Sequence, residues 1–339
     1  MTDVGTVAVR RWSSVSIIAI GGLVAIIAIL AFGPLFLGSY LTGRITTLFI
    51  YVILAVMWNA LAGYAGLVSV GQQAFFGLGA YVVIRLSNGG MPVYPAIALA
   101  PLVVAVLALA LSPLALRLRG GEFAIGMWVF AELAHLLVNL DGLIQGETGT
   151  SLIAISAFAP AVRRADNYWF ALGAMTIVLA LVFVLLRSRT GACVQAIRDN
   201  EEAAASVGVR VLPTKRTIFV LAAAGCAAAG ALTLSTLITF QPKTFFSVQW
   251  TAYMIFMTLV GGLGTFEGPI IGAVVFFAVE TLLGATGVWY LIALGASALV
   301  FSLWFPRGIW GGFSARSGLQ LMPLGYRLTF GRNSAARDE

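Results

Sequence analysis

The chain alternates between long apolar runs and short segments that are rich in glycine, proline and charge. A helical crossing of a bilayer takes about 20 predominantly apolar residues. We expect spans at 16–36, 45–65, 73–86, 94–116, 123–140, 168–186, 217–240, 250–263, 269–283 and 289–305. The pattern predicts an all-α, polytopic integral membrane protein with about ten transmembrane helices, within a range of about eight to eleven.

Three of these runs, 73–86, 250–263 and 269–283, are short and interrupted by glycine. We expect tilted, broken or re-entrant segments there, since irregular backbone at membrane depth must be covered by protein or line a cavity. Close helix packing also explains small residues, whereas breaks in matching positions of two halves indicate a substrate pathway and an internal repeat. On the second interpretation the pathway candidates are Ser69, Gly71, Gln72, Gln73, Glu132, Gly262, Gly264 and Glu280.

The composition excludes most soluble classes of protein. Of the 339 residues, 60% are hydrophobic and 10% are charged, and the mean hydropathy is +0.99. Soluble domains carry about 25% charged residues, so an ordinary cytosolic enzyme, a disordered chain and a nucleic-acid binder are excluded. Two cysteines, Cys193 and Cys226, provide no disulfide framework and no metal-ligand spacing.

The net charge of +7 is mainly a topology signal. If ten spans alternate from a cytoplasmic N-terminus, 15 of the 20 Lys and Arg residues fall on inner segments, as the positive-inside rule requires. We therefore expect cytoplasmic tails at 1–15 and 306–339 and a transmembrane domain at 16–305. The inner segment 187–216 is the most charged part of the chain, with a helical centre at 194–207.

Chemistry-bearing motifs are sparse. No phosphate-binding P-loop is present, because neither Lys215 nor Lys243 lies in a G-x-x-x-x-G-K-[ST] pattern. Glu132 and His135 share a helix face, where they form either a proton relay or a structural pair; we favour the structural pair. Glu280 either lines a cavity or bonds to another helix. We expect no metal site and no cofactor bound by this chain, and any ATP hydrolysis falls to other subunits.

Segment 187–216 is either a solvated loop or a docking element. The pattern Glu202-Ala203-Ala204-x-x-x-Gly208 resembles the EAA signature of ABC-importer permeases, although Val220-Leu221 replaces the usual Leu-Pro ending. That signature marks a short cytoplasmic helix that docks into the ATPase. The resemblance implies that the coupling residues are Arg198, Asp199, Asn200, Glu201, Glu202, Ala203, Ala204 and Gly208.

Further motifs narrow the family. Asn59, the run Gly63-Tyr64-Ala65-Gly66, the run 74–81, and Gly261-Gly262-Leu263-Gly264 followed by Gly268-Pro269 resemble LivM-type permeases of branched-chain amino-acid ABC importers. The resemblance extends from about residue 58 to 310. It implies a transport subunit of the bacterial inner membrane that is not an enzyme. The implied partners are a second related permease in a heterodimer, two cytoplasmic ATPases and a periplasmic binding protein.

The chain departs from the family pattern at Leu67, Gln72, Glu122 and 148–151, which bears on the substrate. Branched-chain or other small amino acids are expected, and an importer of urea or short amides is the nearest alternative. From another class, an ion-coupled secondary transporter would use Glu132, His135 or Glu280. A membrane-embedded enzyme ranks third, since no nucleophile–base or metal set can be assembled.

Overall fold

The computed structural model describes residues 7–10, 14–284, 287–305, 307–317, 321–322 and 327–330. The predicted tails 1–15 and 306–339 lie in part outside these residues. The α-helices are α1 (Ser14–Ala31), α2 (Gly33–Phe36), α3 (Ser39–Asn59), α4 (Gln73–Asn88), α5 (Val93–Ala115), α6 (Gly121–Asn139), α7 (Pro160–Arg187), α8 (Arg189–Asp199), α9 (Glu201–Ser206), α10 (Val211–Leu237), α11 (Pro242–Phe245), α12 (Val248–Gly261), α13 (Gly268–Leu283), α14 (Val288–Trp304) and α15 (Gly308–Ser317).

Two small antiparallel sheets complete the described fold. Strand β1 (Val7–Arg10) pairs with β4 (Arg327–Phe330), and β2 (Thr150–Ser151) pairs with β3 (Thr239–Phe240). A five-residue π-helix, Ala60–Tyr64, continues α3. The molecule is an all-α polytopic membrane protein, as the apolar runs predict.

Each of the ten predicted spans coincides with a helix. Among the described residues, seven helical segments are long and apolar enough to cross a membrane, and two shorter apolar helices, Ser16–Ala31 and Gly268–Leu283, accompany them. Helix α4 has 16 residues and α12 has 14. At 1.5 Å per residue they rise about 24 and 21 Å, less than the hydrocarbon thickness of about 30 Å.

The helices differ strongly in burial. Within the most apolar window of each segment, 83% of Ser39–Tyr64 and 72% of Val211–Leu237 is buried, against 28% of α6 and 12% of Ile292–Ser317. Small residues let α10 approach its neighbours. A Cβ at Gly230 would collide with the Phe76 carbonyl of α4. Helices α3 and α10 therefore form the centre of the bundle, and α6 and α14 lie at its surface.

The bundle has two ends that differ in their links. At one end, here called the basic end, Arg198 of α8 contacts Gly63 and Asn59 contacts Thr265. At the other, here called the opposite end, Arg44 of α3 meets Glu280 of α13. The chain alternates between these ends, so α8 and α9 share an end with the residues that follow α3 and α12.

Segment 187–216 departs from its predicted shape. The uninterrupted helical centre expected at 194–207 is wrong, because the chain bends at Asn200 (φ −160°, ψ 109°) between α8 and α9. The Asn200 side chain accepts a hydrogen bond from the Ala203 amide at 3.0 Å, which caps the start of α9. Helix α10 begins at Val211 rather than 217.

Candidate functional site: the glycine junction and the coupling helices

Two glycine-rich segments that are far apart in the sequence meet at the basic end. We call residues 59–66 and 261–268 together the glycine junction. The Asn59 side chain donates to the Thr265 carbonyl at 2.8 Å and accepts from the Gly264 amide at 2.8 Å. Asn59 is only 2% exposed. One buried amide therefore satisfies two backbone groups of the other segment, which fixes the two segments against each other.

The junction requires glycine at two positions for different reasons. A Cβ at Gly63 would overlap the Asn59 side chain and would lie 2.7 Å from the Gly264 nitrogen. Gly264 itself has φ +74°, a conformation that side chains with a Cβ rarely adopt. These glycines therefore serve close approach of two backbones as well as an irregular turn.

The coupling segment is attached to this junction through Arg198. Its Nη1 donates to the Gly63 carbonyl at 3.0 Å, and its Nη2 donates to Asp199 at 2.8 Å. Beyond the bend, Lys215 of α10 pairs with Glu201 at 2.6 Å. Charged side chains thus hold α8 and α9 on both sides of their bend, through Arg198 to the junction and through Glu201 to the central helix α10.

The faces of α9 separate residues that hold it in place from residues that a partner can reach. Ala204 is 3% exposed and packs inside this chain, so it does not offer the external contact expected of it from the signature. Glu202, Ala203 and Val207 are exposed, and Val207 is 79% exposed. Gly208 ends the helix with φ +88°. The accessible surface of α9 and its C-terminal cap, Val207, is therefore small and combines the Glu202 carboxylate with short or apolar side chains.

The segment before α4 crosses the protein interior. The Trp58 indole donates to the Ser69 carbonyl at 3.0 Å, and Ser69 is fully buried. Gly71 lies against the Met127 carbonyl of α6, where a Cβ would collide. The irregular backbone lies before α4 and is covered by protein, as membrane depth requires, whereas the run 73–86, where a tilted, broken or re-entrant segment was expected, is one continuous helix.

The two glutamines that follow are sealed in the same way. Cys226 of α10 donates through Sγ to the Gln72 side chain at 3.5 Å, and Thr251 of α12 donates to Gln73. Both glutamines are at most 1% exposed. The structure therefore brings Ser69, Gly71, Gln72 and Gln73 together in the core and does not place them on an open surface of this chain.

At the opposite end, Glu132 and His135 belong to a larger polar group than the sequence indicates. His135 Nδ1 lies 3.3 Å from Glu132 Oε1, and His135 Nε2 lies 2.8 Å from Glu147 Oε1. The Lys243 amide donates to the other Glu147 oxygen at 3.0 Å. The imidazole bridges α6 to the segment before α7, while the Glu132 side chain remains 60% exposed.

Glu280 lies in a separate polar group. Tyr51 of α3 donates to Glu280 Oε1 at 2.8 Å, and Arg44 Nη2 lies 3.9 Å from Glu280 Oε2. The pathway candidates thus fall into three regions: Gly262 and Gly264 in the junction, the buried run at 69–73, and the carboxylates at the opposite end. A cavity of about 640 Å³ between α5, α7 and α10 has an apolar lining, including Pro101, and contains none of them.

Within the described ranges, no three His, Cys, Asp or Glu side chains group closely enough to hold a metal ion.

The family to which the chain belongs guides the interpretation of the sites described above. The sequence model described as "Branched-chain amino acid transport system / permease component" matches residues 40–303. The chain belongs to this permease family. The match covers both halves of the glycine junction and the coupling helices.

Curated permeases agree with that assignment. The LivM permease of high-affinity branched-chain amino acid transport in Salmonella typhimurium is 26% identical over 314 residues, which cover 85% of this chain and 74% of that protein. The fructose import permease FruG of Bifidobacterium longum is 24% identical over 304 residues, which cover 83% and 88%. The chain is a LivM-type permease by sequence, and sugar permeases share its framework.

A solved structure shows the same fold. A chain described as part of a metal-chelate type ABC transporter in an inward-facing conformation superposes with a TM-score of 0.52 at 16% identity. The match covers 84% of this chain and 98% of that one. The protein is therefore a membrane transport subunit, the permease component of an ABC importer, and its family works with ATPase and substrate-binding partners.

Two participants in these sites, Arg44 and Glu147, were missed in the sequence, and the role of a third, Arg198, differs from the expected one. Arg44 was not among the candidates, although a charged residue close to an apolar run is a signal in itself. Glu147 carries no pattern that connects it with His135. Arg198 was expected to face an ATPase, whereas its Nη1 binds the Gly63 carbonyl of this chain.

Proposed function

We propose that this permease carries branched-chain or other small amino acids across the bacterial inner membrane. The observation that carries the proposal is the match to LivM along 85% of the chain. The family assignment favours this class over the ion-coupled alternative, because ABC importers draw on ATP hydrolysed by separate chains. Sugar and urea transport are the competing substrate classes.

In the proposed assembly, the chain pairs with a second related permease, and two ATPases bind at the basic end. The exposed surface of α9 supports this placement, since it projects from helices that Arg198 and Lys215 anchor to the bundle. The largely exposed helices α6 and α14 offer surface to the second permease and to lipid. A periplasmic binding protein delivers the solute to the opposite end, and the chain itself binds no cofactor.

The proposed orientation places the basic end in the cytoplasm. The distribution of Lys and Arg supports it, and so does the pairing of β1 with β4, which brings the two tails to one side. On this basis the domain limits stay as predicted: tails at 1–15 and 306–339, a transmembrane domain at 16–305 and a coupling segment at 187–216.

Uptake by the reconstituted complex tests the substrate. The permease is co-expressed with its partner permease, ATPases and binding protein, and placed in ATP-loaded proteoliposomes. We expect ATP-dependent uptake of labelled L-leucine that persists when the proton gradient is collapsed. Uptake of fructose or urea without leucine uptake would assign the importer to another substrate class.

A further inference from the structure

Arg44 and Glu280 form a polar site within the transmembrane bundle at its opposite end. Arg44 lies near the start of α3, and Glu280 lies near the end of α13. Tyr51 donates to Glu280 Oε1 at 2.8 Å, and Thr281 accepts from Arg44 Nη2. The Arg44 guanidinium also lies 4.7 Å from the ring centre of Phe277. Both charged side chains are therefore fixed in position by neighbours.

The charges of this pair are incompletely satisfied. Arg44 Nε is buried without a hydrogen-bond partner, and so is Glu280 Oε2. The nearest contact between the two groups, Nη2 to Oε2, is 3.9 Å, which is too long for a hydrogen bond. Leaving such groups unpaired in a low-dielectric site is costly. The pair thus has one open donor and one open acceptor, on opposite charges.

The site is partly accessible from outside the chain. The Arg44 side chain is 27% exposed and the Glu280 side chain is 24% exposed, while the two unpartnered atoms are themselves buried, so a ligand reaches them by parting the two side chains. Ionisable groups within a membrane face a bundle interior or a water-filled cavity, where they mark substrate routes. The open side of this pair therefore faces the aqueous route or its lining in the assembled transporter.

We propose that Arg44 and Glu280 bind the zwitterionic head of an α-amino acid during its passage. The substrate carboxylate pairs with the Arg44 guanidinium and the substrate ammonium pairs with Glu280 Oε2, so the ligand replaces a poor ion pair by two good ones. The half-buried Phe277 ring borders the site for an apolar substrate side chain. A sugar brings neither charge, and this difference separates amino-acid from sugar transport.

The inference rests on the proposed amino-acid substrate, and Glu280→Gln in the reconstituted complex tests it. At saturating leucine-loaded binding protein, we expect L-leucine uptake to fall by about tenfold or more, because Arg44 and the substrate ammonium both lose their partner. The amount of leucine carried for each ATP hydrolysed should fall, which a smaller amount of assembled complex would not produce. Failure of Glu280→Gln to assemble would instead make the pair a structural clamp and overturn the proposal.

Exchanging the charges of Arg44 and Glu280 distinguishes substrate binding from a structural ion pair between α3 and α13. The double variant Arg44→Glu/Glu280→Arg keeps opposite charges on α3 and α13. A structural ion pair would recover uptake after the exchange, whereas our proposal requires uptake to stay low, because the substrate head would be reversed and its side chain misdirected. If wild type carries no leucine, the proposed function fails. If wild type carries leucine and Glu280→Gln carries it equally well, the site alone fails.

Discussion

The glycine junction and the Arg44–Glu280 site lie at opposite ends of the bundle and solve opposite problems. In the junction, Asn59 makes two 2.8 Å hydrogen bonds to backbone groups and is almost fully buried. In the Arg44–Glu280 site, the charged groups stay 3.9 Å apart and each keeps an unpartnered atom. The Asn59 amide is satisfied without a ligand, although the Tyr64 hydroxyl of the junction is buried without a hydrogen-bond partner. The Arg44–Glu280 pair becomes complete by accepting a ligand.

This difference distinguishes polar side chains that hold the helices together from polar side chains that are available to a substrate. One site joins the end of α3 to the residues before α13, and the other joins the start of α3 to the end of α13. Both use residues that are expensive to bury. What distinguishes Asn59 from the Arg44–Glu280 pair is whether the polar group finds its partners inside the chain. A satisfied group stabilises one geometry, while an unsatisfied pair of charges with partly exposed side chains is available to substrate.

The largest expected effect is the loss of stability and uptake when Asn59 is replaced. Asn59→Leu leaves the part-buried Gly264 amide and Thr265 carbonyl without their side-chain partner, at up to about 1–3 kcal/mol for each group. We expect a drop of several degrees in the thermal unfolding midpoint and loss of uptake. Differential scanning fluorimetry in detergent measures the first. Asn88→Leu makes the same chemical change at an exposed position of α4 and is expected to leave the midpoint unchanged.

The second largest expected effect is weaker ATPase binding when a charge is placed at Val207, the C-terminal cap of α9. Val207 is 79% exposed, so Val207→Asp leaves this chain stable, while an unpaired charge in the ATPase contact weakens binding by about tenfold or more. Co-purification with the ATPases and stimulation of ATP hydrolysis measure this loss. Val162→Asp, at an exposed position of α7 at the opposite end, is the matched control. Equal ATPase binding by both variants would show that α9 is not the docking element.

The side chains of α9 and its cap also mark the limit of what the sequence predicts. The apolar runs identified every long helix, because a membrane span is encoded by continuous local hydrophobicity. The glycine stretches indicated irregular backbone, but their contact across the junction is seen only in the structure. The side-chain directions on α9 were not encoded so directly, because the bend at Asn200 turns Ala204 inward and Val207 outward.

Long-range polar pairs were the part that the sequence did not reveal. Arg44 and Glu280 lie in different halves of the chain, and His135 and Glu147 belong to unrelated segments. Such pairs follow from helix packing, which leaves no periodic signal around either partner. The motif that included Asn59 did carry information, since a polar residue beside close-packed glycines has few ways to be satisfied.

The smallest expected effect is a change in stability at the Tyr81–Asp141 pair, which lies at the same end of the bundle as Arg44. Tyr81 donates to Asp141 Oδ2 at 2.7 Å, Leu143 donates its amide at 3.1 Å and Arg85 lies 3.3 Å away. The Tyr81 hydrogen bond, followed by that of the Leu143 amide, lowers the pKa of Asp141 below its ordinary value of 3.8. A depressed carboxyl pKa stabilises the fold above the ordinary value, and this contribution is lost as the pH falls through the folded-state pKa.

Tyr81→Phe should therefore raise the pKa of Asp141 and cost less than about 1 kcal/mol at neutral pH, since solvent screens such pairs. The difference in unfolding midpoint from wild type should be constant from neutral pH down to about pH 5, and should shrink as the pH falls below the ordinary aspartate value. Tyr40→Phe, at a tyrosine that is 73% exposed, controls for the loss of a hydroxyl. A pH-independent difference would mean that Tyr81 acts through packing. If Tyr81→Phe lowered the unfolding midpoint as much as Asn59→Leu, then the buried Asn59 amide and the solvent-screened Tyr81–Asp141 pair would contribute equally to stability.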